Sequence, residues 1–192
     1  MIKRTLDDII KDKLFKGKAI VIMGPRQVGK TTLLKQLFKD DDMVLWLNGD
    51  EQDVRNLFET ISSSRMKLII GNKKVVVIDE AQRISDIGLK MKLITDQIPE
   101  VQLISTGSSS FELANLVNEP LTGRKWEYKM LPLSFEEMVV QHGLLEEKRL
   151  VPHRMVYGYY PDVVVNPGSE DELLSQLADK IGRASCRERV SS

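Results

Sequence analysis

Gly24-Pro25-Arg26-Gln27-Val28-Gly29-Lys30-Thr31 is the stretch on which the reading of this chain turns. Its spacing is G-x-x-x-x-G-K-[ST]. Gly24 and Gly29 permit backbone angles that a side chain forbids, so consecutive N–H groups can turn toward one anion. The run Ala19-Ile-Val-Ile-Met23 before it reads as a buried strand. Leu33, Leu34, Leu37 and Phe38 after it have helical spacing. A helix that starts at Lys30 adds its positive end to the same anion site. Strand, glycine loop and helix are together the context in which this pattern cradles phosphate. Gly24, Pro25, Arg26, Gln27, Val28, Gly29, Lys30, Thr31 and Thr32 are therefore the candidate nucleotide-binding residues. Lys30 reaches the terminal phosphates of ATP, and the Thr31 hydroxyl ligates Mg²⁺.

The second half of the site lies about 50 residues downstream: an apolar run ending in acids is a weak signal alone and a strong one at this distance from a glycine loop of this kind. Val75-Val-Val-Ile78 is apolar throughout and ends in Asp79-Glu80. A carboxylate at the end of a buried strand is costly unless it serves a cation. Asp79 is expected to hold Mg²⁺, directly or through water. Glu80 is expected to orient the attacking water or take its proton.

Outward from these two stretches, strands and helices alternate. Helical faces are expected near residues 2–14, 31–39, 51–61 and 87–98, and further strands at 43–47, 101–105 and 127–131. Ser109 with Glu112, and Ser134 with Glu137, have the spacing of capping boxes. Unbroken apolar strands between helices argue for an α/β fold with a parallel sheet covered on both faces. A chain of 192 residues makes one domain, or one domain and a fragment of a second. Lys and Arg number 28 and so do Asp and Glu, which disfavours a protein built to coat nucleic acid. No apolar run reaches the length of a membrane span, and residues 1–18 lack a signal-type stretch, so a cytoplasmic location is expected. His142 and His153 have no His or Cys partner at ligand spacing, and no metal site is expected there.

GPRQVGKTTLL, VVVIDEAQRI, LISTGSSSFELA, LTGRKWEY and PLSFEE occur in that order. In this the chain resembles the prokaryotic AAA-family P-loop ATPases, whose ATPase core precedes a C-terminal domain of unknown function. The resemblance covers about residues 2–179. It implies a five-stranded parallel sheet of order 5-1-4-3-2 and Mg²⁺-dependent ATP binding and hydrolysis coupled to conformational change. The other readings are a nucleotide-gated switch or scaffold with little turnover, and a nucleic-acid-handling ATPase, which salt-dependent DNA binding would reveal. By motif, Thr106 is the candidate polar sensor, with Ser105 and Ser108 as alternatives. Arg124 stands before the fifth strand. The phosphate edge is at the far end of that strand, about 17 Å away for five residues, so Arg124 cannot easily serve its own nucleotide. The resemblance implies an arginine finger on a neighbouring subunit of a homo-oligomer. The other reading of Arg124 is a structural pair with a carboxylate.

The expected division is residues 1–150 for the ATPase core and 151–180 for the start of a helical lid or winged-helix region, cut short before the C-terminal domain. Residues 181–192 read as a non-native tail. The run from Ile181 to Val190 holds three arginines and the only Cys. One back-translation of it matches a common sequencing adapter read through as coding DNA. The helix before it, with Leu173, Leu174 and Leu177 on one face, is expected to run out near that junction.

Overall fold

The computed structural model of the chain describes residues 2–39, 41–60, 62–107 and 116–188, with side chains to 179. It divides into two compact units. One comprises Thr5–Pro25 and Lys30–Leu131; the other comprises Met1–Arg4, Arg26–Gly29 and Pro132–Ser192.

The first unit is built on a parallel sheet of five strands: β1 (Ala19–Met23), β2 (Val44–Asn48), β3 (Val75–Asp79), β4 (Gln102–Gly107) and β5 (Lys125–Lys129). Their order is β2-β3-β4-β1-β5, the expected 5-1-4-3-2 read from the other side. The helices of this unit are α1 (Thr5–Lys13), α2 (Lys30–Leu37), α3 (Gln52–Glu59), α4 (Ser63–Ile70) and α5 (Ile87–Gln97).

β1 and β3 are apolar on both faces, and β4 carries Leu103 and Ile104 on successive faces, because both faces are covered. Val21, Val76, Ile78 and Leu103 join a core with Phe58, Met66, Ile70, Met91 and Ile94. Ile20, Ile22, Val77 and Ile104 alternate to the opposite face and are also buried. The register places Asn48 opposite Asp79 and Ile22 opposite Thr106. The carboxyl ends of β1 to β4 therefore meet at one edge of the sheet. In open parallel sheets this is the edge at which ligands bind.

One strand and one helix differ from the sequence expectation. β5 begins at Lys125 and ends at Lys129 rather than spanning 127–131. It is matched one to one with Ala19–Met23, so the length of its partner sets its ends. Helix α4 was not anticipated. Ser62 caps it, accepting a hydrogen bond from the Arg65 N–H (3.3 Å), and Met66 and Ile70 at i, i+4 bury its inner face. The capping box Ser109/Glu112 lies outside the described residues.

The second unit carries α6 (Phe135–His142), α7 (Leu144–Tyr157), α8 (Pro161–Val165) and α9 (Glu170–Glu188). The expected capping box of α6 is formed. Ser134 Oγ accepts from the Glu137 N–H (3.1 Å), and Glu137 Oε2 accepts from the Ser134 N–H (2.9 Å). Gly143, with φ 95°, stops α6 and lets α7 start at the next residue. Glu147 is fully buried in α7. It accepts from Tyr159 Oη and meets His142 Nε2, both at 2.7 Å, and lies 3.6 Å from Arg154 Nε. Charges at this depth are tolerated because they are paired. His142, at the exposed end of α6, is bonded to this carboxylate. Helix α9 does not run out near residue 180; its backbone stays helical to Glu188. Ala184, Arg183, Arg187 and Glu188 are good helix formers, and a helix once nucleated extends at little cost per residue.

Candidate nucleotide-binding site

The site is laid out along the carboxyl edge of the sheet. Gly24 continues β1, and its N–H bonds the carbonyl of Gly107 at the end of β4 (3.3 Å). Gln27 (φ 60°) and Gly29 (φ 97°) both take the left-handed region. Glycine does so freely, whereas Gln27 does so at a steric cost that recurs at ligand-binding loops. Arg26 and Gly29 are half-buried, Gln27 is exposed and Val28 is fully buried.

Lys30 opens α2 and is buried. Its Nζ donates to the carbonyls of Gly24 (2.9 Å) and Pro25 (2.8 Å), which hold the ammonium group over the start of the loop. Thr31 Oγ1 donates to Asp79 Oδ2 at 2.8 Å. Thr106 Oγ1 donates to the other carboxylate oxygen, Oδ1, and accepts from the Glu80 N–H at 3.3 Å. Asp79 thus has one hydroxyl on each oxygen. Thr31, Asp79, Glu80 and Thr106 are brought together from two strand ends and one helix, with Lys30 beside Thr31 on that helix. Thr32 is exposed on the first turn of α2.

Glu80 directly follows β3 with φ 48°. Its Oε2 accepts from Gln82 Nε2 at 2.6 Å. Gly49, one residue beyond β2, approaches closely. Its N–H bonds the Asp79 carbonyl (2.8 Å), and a Cβ at Gly49 would stand 2.5 Å from the Glu80 carbonyl oxygen. Gln82 and Gly49 escaped the sequence reading. Gln82 lies inside the quoted VVVIDEAQRI stretch, whereas Gly49 gave only a turn signal.

The other candidates are placed as follows. Ser105 is fully buried, and its Oγ has no hydrogen-bond partner among the described residues. Ser108 lies outside the described residues. Arg124 sits where β5 begins, its carbonyl accepting from the Ala19 N–H, and so at the amino edge of the sheet, opposite the glycine loop. Its Nε pairs with Asp96 Oδ1 at 2.7 Å while the side chain stays 44% exposed.

Within the first unit, two kinds of oxygen donor, the Thr31 hydroxyl and the Asp79 carboxylate, lie at the sheet edge from which Gly24 leaves, with Lys30 buried beside it. Fold and site together define a P-loop nucleotide-binding domain. Comparison with known proteins agrees: residues 16–139 match the AAA domain family, and the chain belongs to it. An uncharacterized protein of Methanocaldococcus jannaschii is 27% identical over 191 residues, covering 90% of this chain and 42% of its own length. An uncharacterized protein of Haemophilus influenzae is 28% identical over 184 residues, covering 84% of this chain and 44% of its own. The chain thus spans less than half the length of these curated relatives. Among solved structures, a Walker-type ATPase of Pyrococcus abyssi superposes with a TM-score of 0.64 at 15% identity, covering 98% of this chain and 75% of that one. A signal transduction ATPase with numerous domains, from Pyrococcus horikoshii, superposes with a TM-score of 0.54 at 16% identity, covering 85% and 29%. At these identities the likeness is one of fold. Among the described residues no helix is long and apolar enough to cross a membrane.

Proposed function

We propose that the chain binds ATP with Mg²⁺ and hydrolyses it, coupling the reaction to conformational change. The observation that carries this reading is the meeting of Thr31 and Asp79, 48 residues apart in sequence, at 2.8 Å next to buried Lys30. Hard oxygen donors of this kind suit Mg²⁺, so Thr31 and Asp79 are the residues that would hold it. The ion would supply charge neutralisation at the phosphates. Lys30 would leave the carbonyls of Gly24 and Pro25 for the terminal phosphates. Thr106 would orient Asp79 and the Glu80 backbone. Glu80 would draw the proton from a water attacking the γ-phosphorus, as the bond to the departing ADP breaks.

Lys30→Ala tests the assignment. The variant should keep its thermal melt and lose ATP binding, measured calorimetrically. A folded variant with unchanged affinity would refute the phosphate site.

A nucleotide-gated switch with little turnover is the second reading. It is supported by Glu80, whose carboxylate is engaged by Gln82 at 2.6 Å. A steady-state turnover assay separates the two readings. The work driven by ATP is proposed to belong to the longer protein, with a C-terminal domain of the kind that the family resemblance implies.

A further inference from the structure

The glycine loop is held by a guanidinium from the start of the chain. Arg4 lies near the start of the chain, and its side chain is only 10% exposed. Its three nitrogens reach the glycine loop and the 132–137 stretch. Nη1 donates to the Val28 carbonyl (3.1 Å), Nε to Glu137 Oε1 (3.1 Å) and Nη2 to the Pro132 carbonyl (3.4 Å). Glu137 is the carboxylate of the α6 capping box. One of its oxygens closes the helix cap and the other holds Arg4. Arg4, Val28, Gly29, Pro132 and Glu137 all belong to the same compact unit.

The peptide between Val28 and Gly29 is planar, and no peptide bond in the described chain is cis. In a trans peptide the C=O and the N–H point in opposite directions. A guanidinium that pins the Val28 carbonyl therefore fixes the direction of the Gly29 N–H. That N–H is turned away from Arg4 and is one of the donors that the loop offers to an anion. Gly29 would otherwise be the freest residue of the loop.

We propose that Arg4 is a positioning residue for phosphate binding. It sets the Val28–Gly29 peptide, Glu137 sets Arg4, and nucleotide occupancy is thereby coupled to the amino-terminal turn of α6. This rests on the phosphate reading of the loop. It also gives a task to the PLSFEE stretch, which the proposed chemistry leaves unused. By linkage, if an ordered α6 cap favours nucleotide, nucleotide favours the ordered cap to the same extent.

The test compares wild type with Arg4→Lys and with the double variant Arg4→Met/Glu137→Gln. The double variant leaves no lone buried charge, so it should fold. Arg4→Lys keeps the pair with Glu137, but a single ammonium cannot span three acceptors as a planar fork does. Thermal melts, ATP affinity by calorimetry and amide hydrogen exchange over residues 26–31 and 134–142 are measured for each. Both variants should melt near wild type and bind ATP roughly 10-fold or more weakly, since misplacing a binding group by about an ångström costs factors of this order. In wild type, ATP should slow exchange in both segments together. In the double variant the response of 134–142 should vanish. Wild type that binds ATP, with variants that bind it equally well and keep the linked exchange response, would overturn the positioning role alone. Wild type that binds no ATP would overturn the proposal at the phosphate reading itself.

Discussion

Glu80 is held in a backbone conformation that costs a non-glycine residue about 1–3 kcal/mol, with φ 48°. Such a conformation persists only where the surroundings impose it. Here the Gly49 N–H fixes the Asp79 carbonyl, Thr106 takes the Glu80 N–H, and the Arg83 N–H bonds the Glu80 carbonyl at 3.0 Å. The backbone that carries the proposed general base is thereby fixed on both sides. Glu80→Gln keeps the size and the hydrogen bonding of the side chain but cannot accept a proton. Turnover should fall by roughly 10²-fold or more while ATP affinity stays near wild type. Unimpaired turnover would transfer the role elsewhere and favour the switch reading. Gly49→Ala probes the same geometry from outside. The added methyl meets the Glu80 carbonyl at 2.5 Å, and that neighbour is backbone, which cannot swing aside. We expect a stability loss of about 1–3 kcal/mol from overpacking, read by urea unfolding, together with slower turnover. A stable variant with normal turnover would show that the strand end can shift without disturbing the glutamate.

At the scale of elements, α6, α7 and the loop that follows α7 are tied together by one buried carboxylate, Glu147. Tyr159 donates to Glu147, and its phenol is pushed up to about 12, by burial first and by the Glu147 hydrogen bond second. A group with a raised folded-state pKa stabilises fully below its unfolded value, near 10, and loses that contribution as pH rises through about 12. Stability should therefore decline between those limits, and Tyr159→Phe should be less stable at neutral pH but decline less steeply. Some slope should remain, because burial also raises Tyr160. Urea unfolding across that pH range checks the sign. How far such elements could be foreseen depended on how local their cause was. Val75–Asp79 and Ala19–Met23 announce themselves because central strands must be apolar on both faces. β5 was misplaced because Lys125, Trp126, Glu127, Tyr128 and Lys129 mix charge with aromatic surface, and only pairing with β1 fixes its ends. The glycine loop and Asp79-Glu80 were legible as motifs. The Arg4–Glu137 contact was not, since it joins residues 133 apart and no pattern in either segment signals the other. Glu147 was missed for a similar reason: acidic residues in a charged helix read as solvated until a tyrosine and a histidine close over one of them.

For the whole molecule, the position of Arg124 matters most. It opens β5 at the sheet edge opposite the glycine loop, and its guanidinium is paired with Asp96 yet 44% exposed. We propose that it serves a neighbouring subunit. Specific activity should then rise with protein concentration. Mixing Lys30→Ala subunits with Arg124→Ala subunits should restore part of the lost turnover, because a mixed interface can join an intact nucleotide site to an intact arginine. An Arg124→Ala protein with full activity would leave the Asp96 ion pair as its whole role. The sheet has a further property at its margin. β5 is its last strand, with one side unpaired within the sheet. Lys125, Glu127 and Lys129 recur there at every second position, Glu127 and Lys129 exposed, and the ammonium groups of Lys18 and Lys13 stand 4.5 Å and 5.3 Å from the centre of the Trp126 ring. A strand from another molecule that docked against this rim would have to strip water from those charges. The margin thus acts as a guard against runaway strand addition, and among the described residues the sheet ends at five strands.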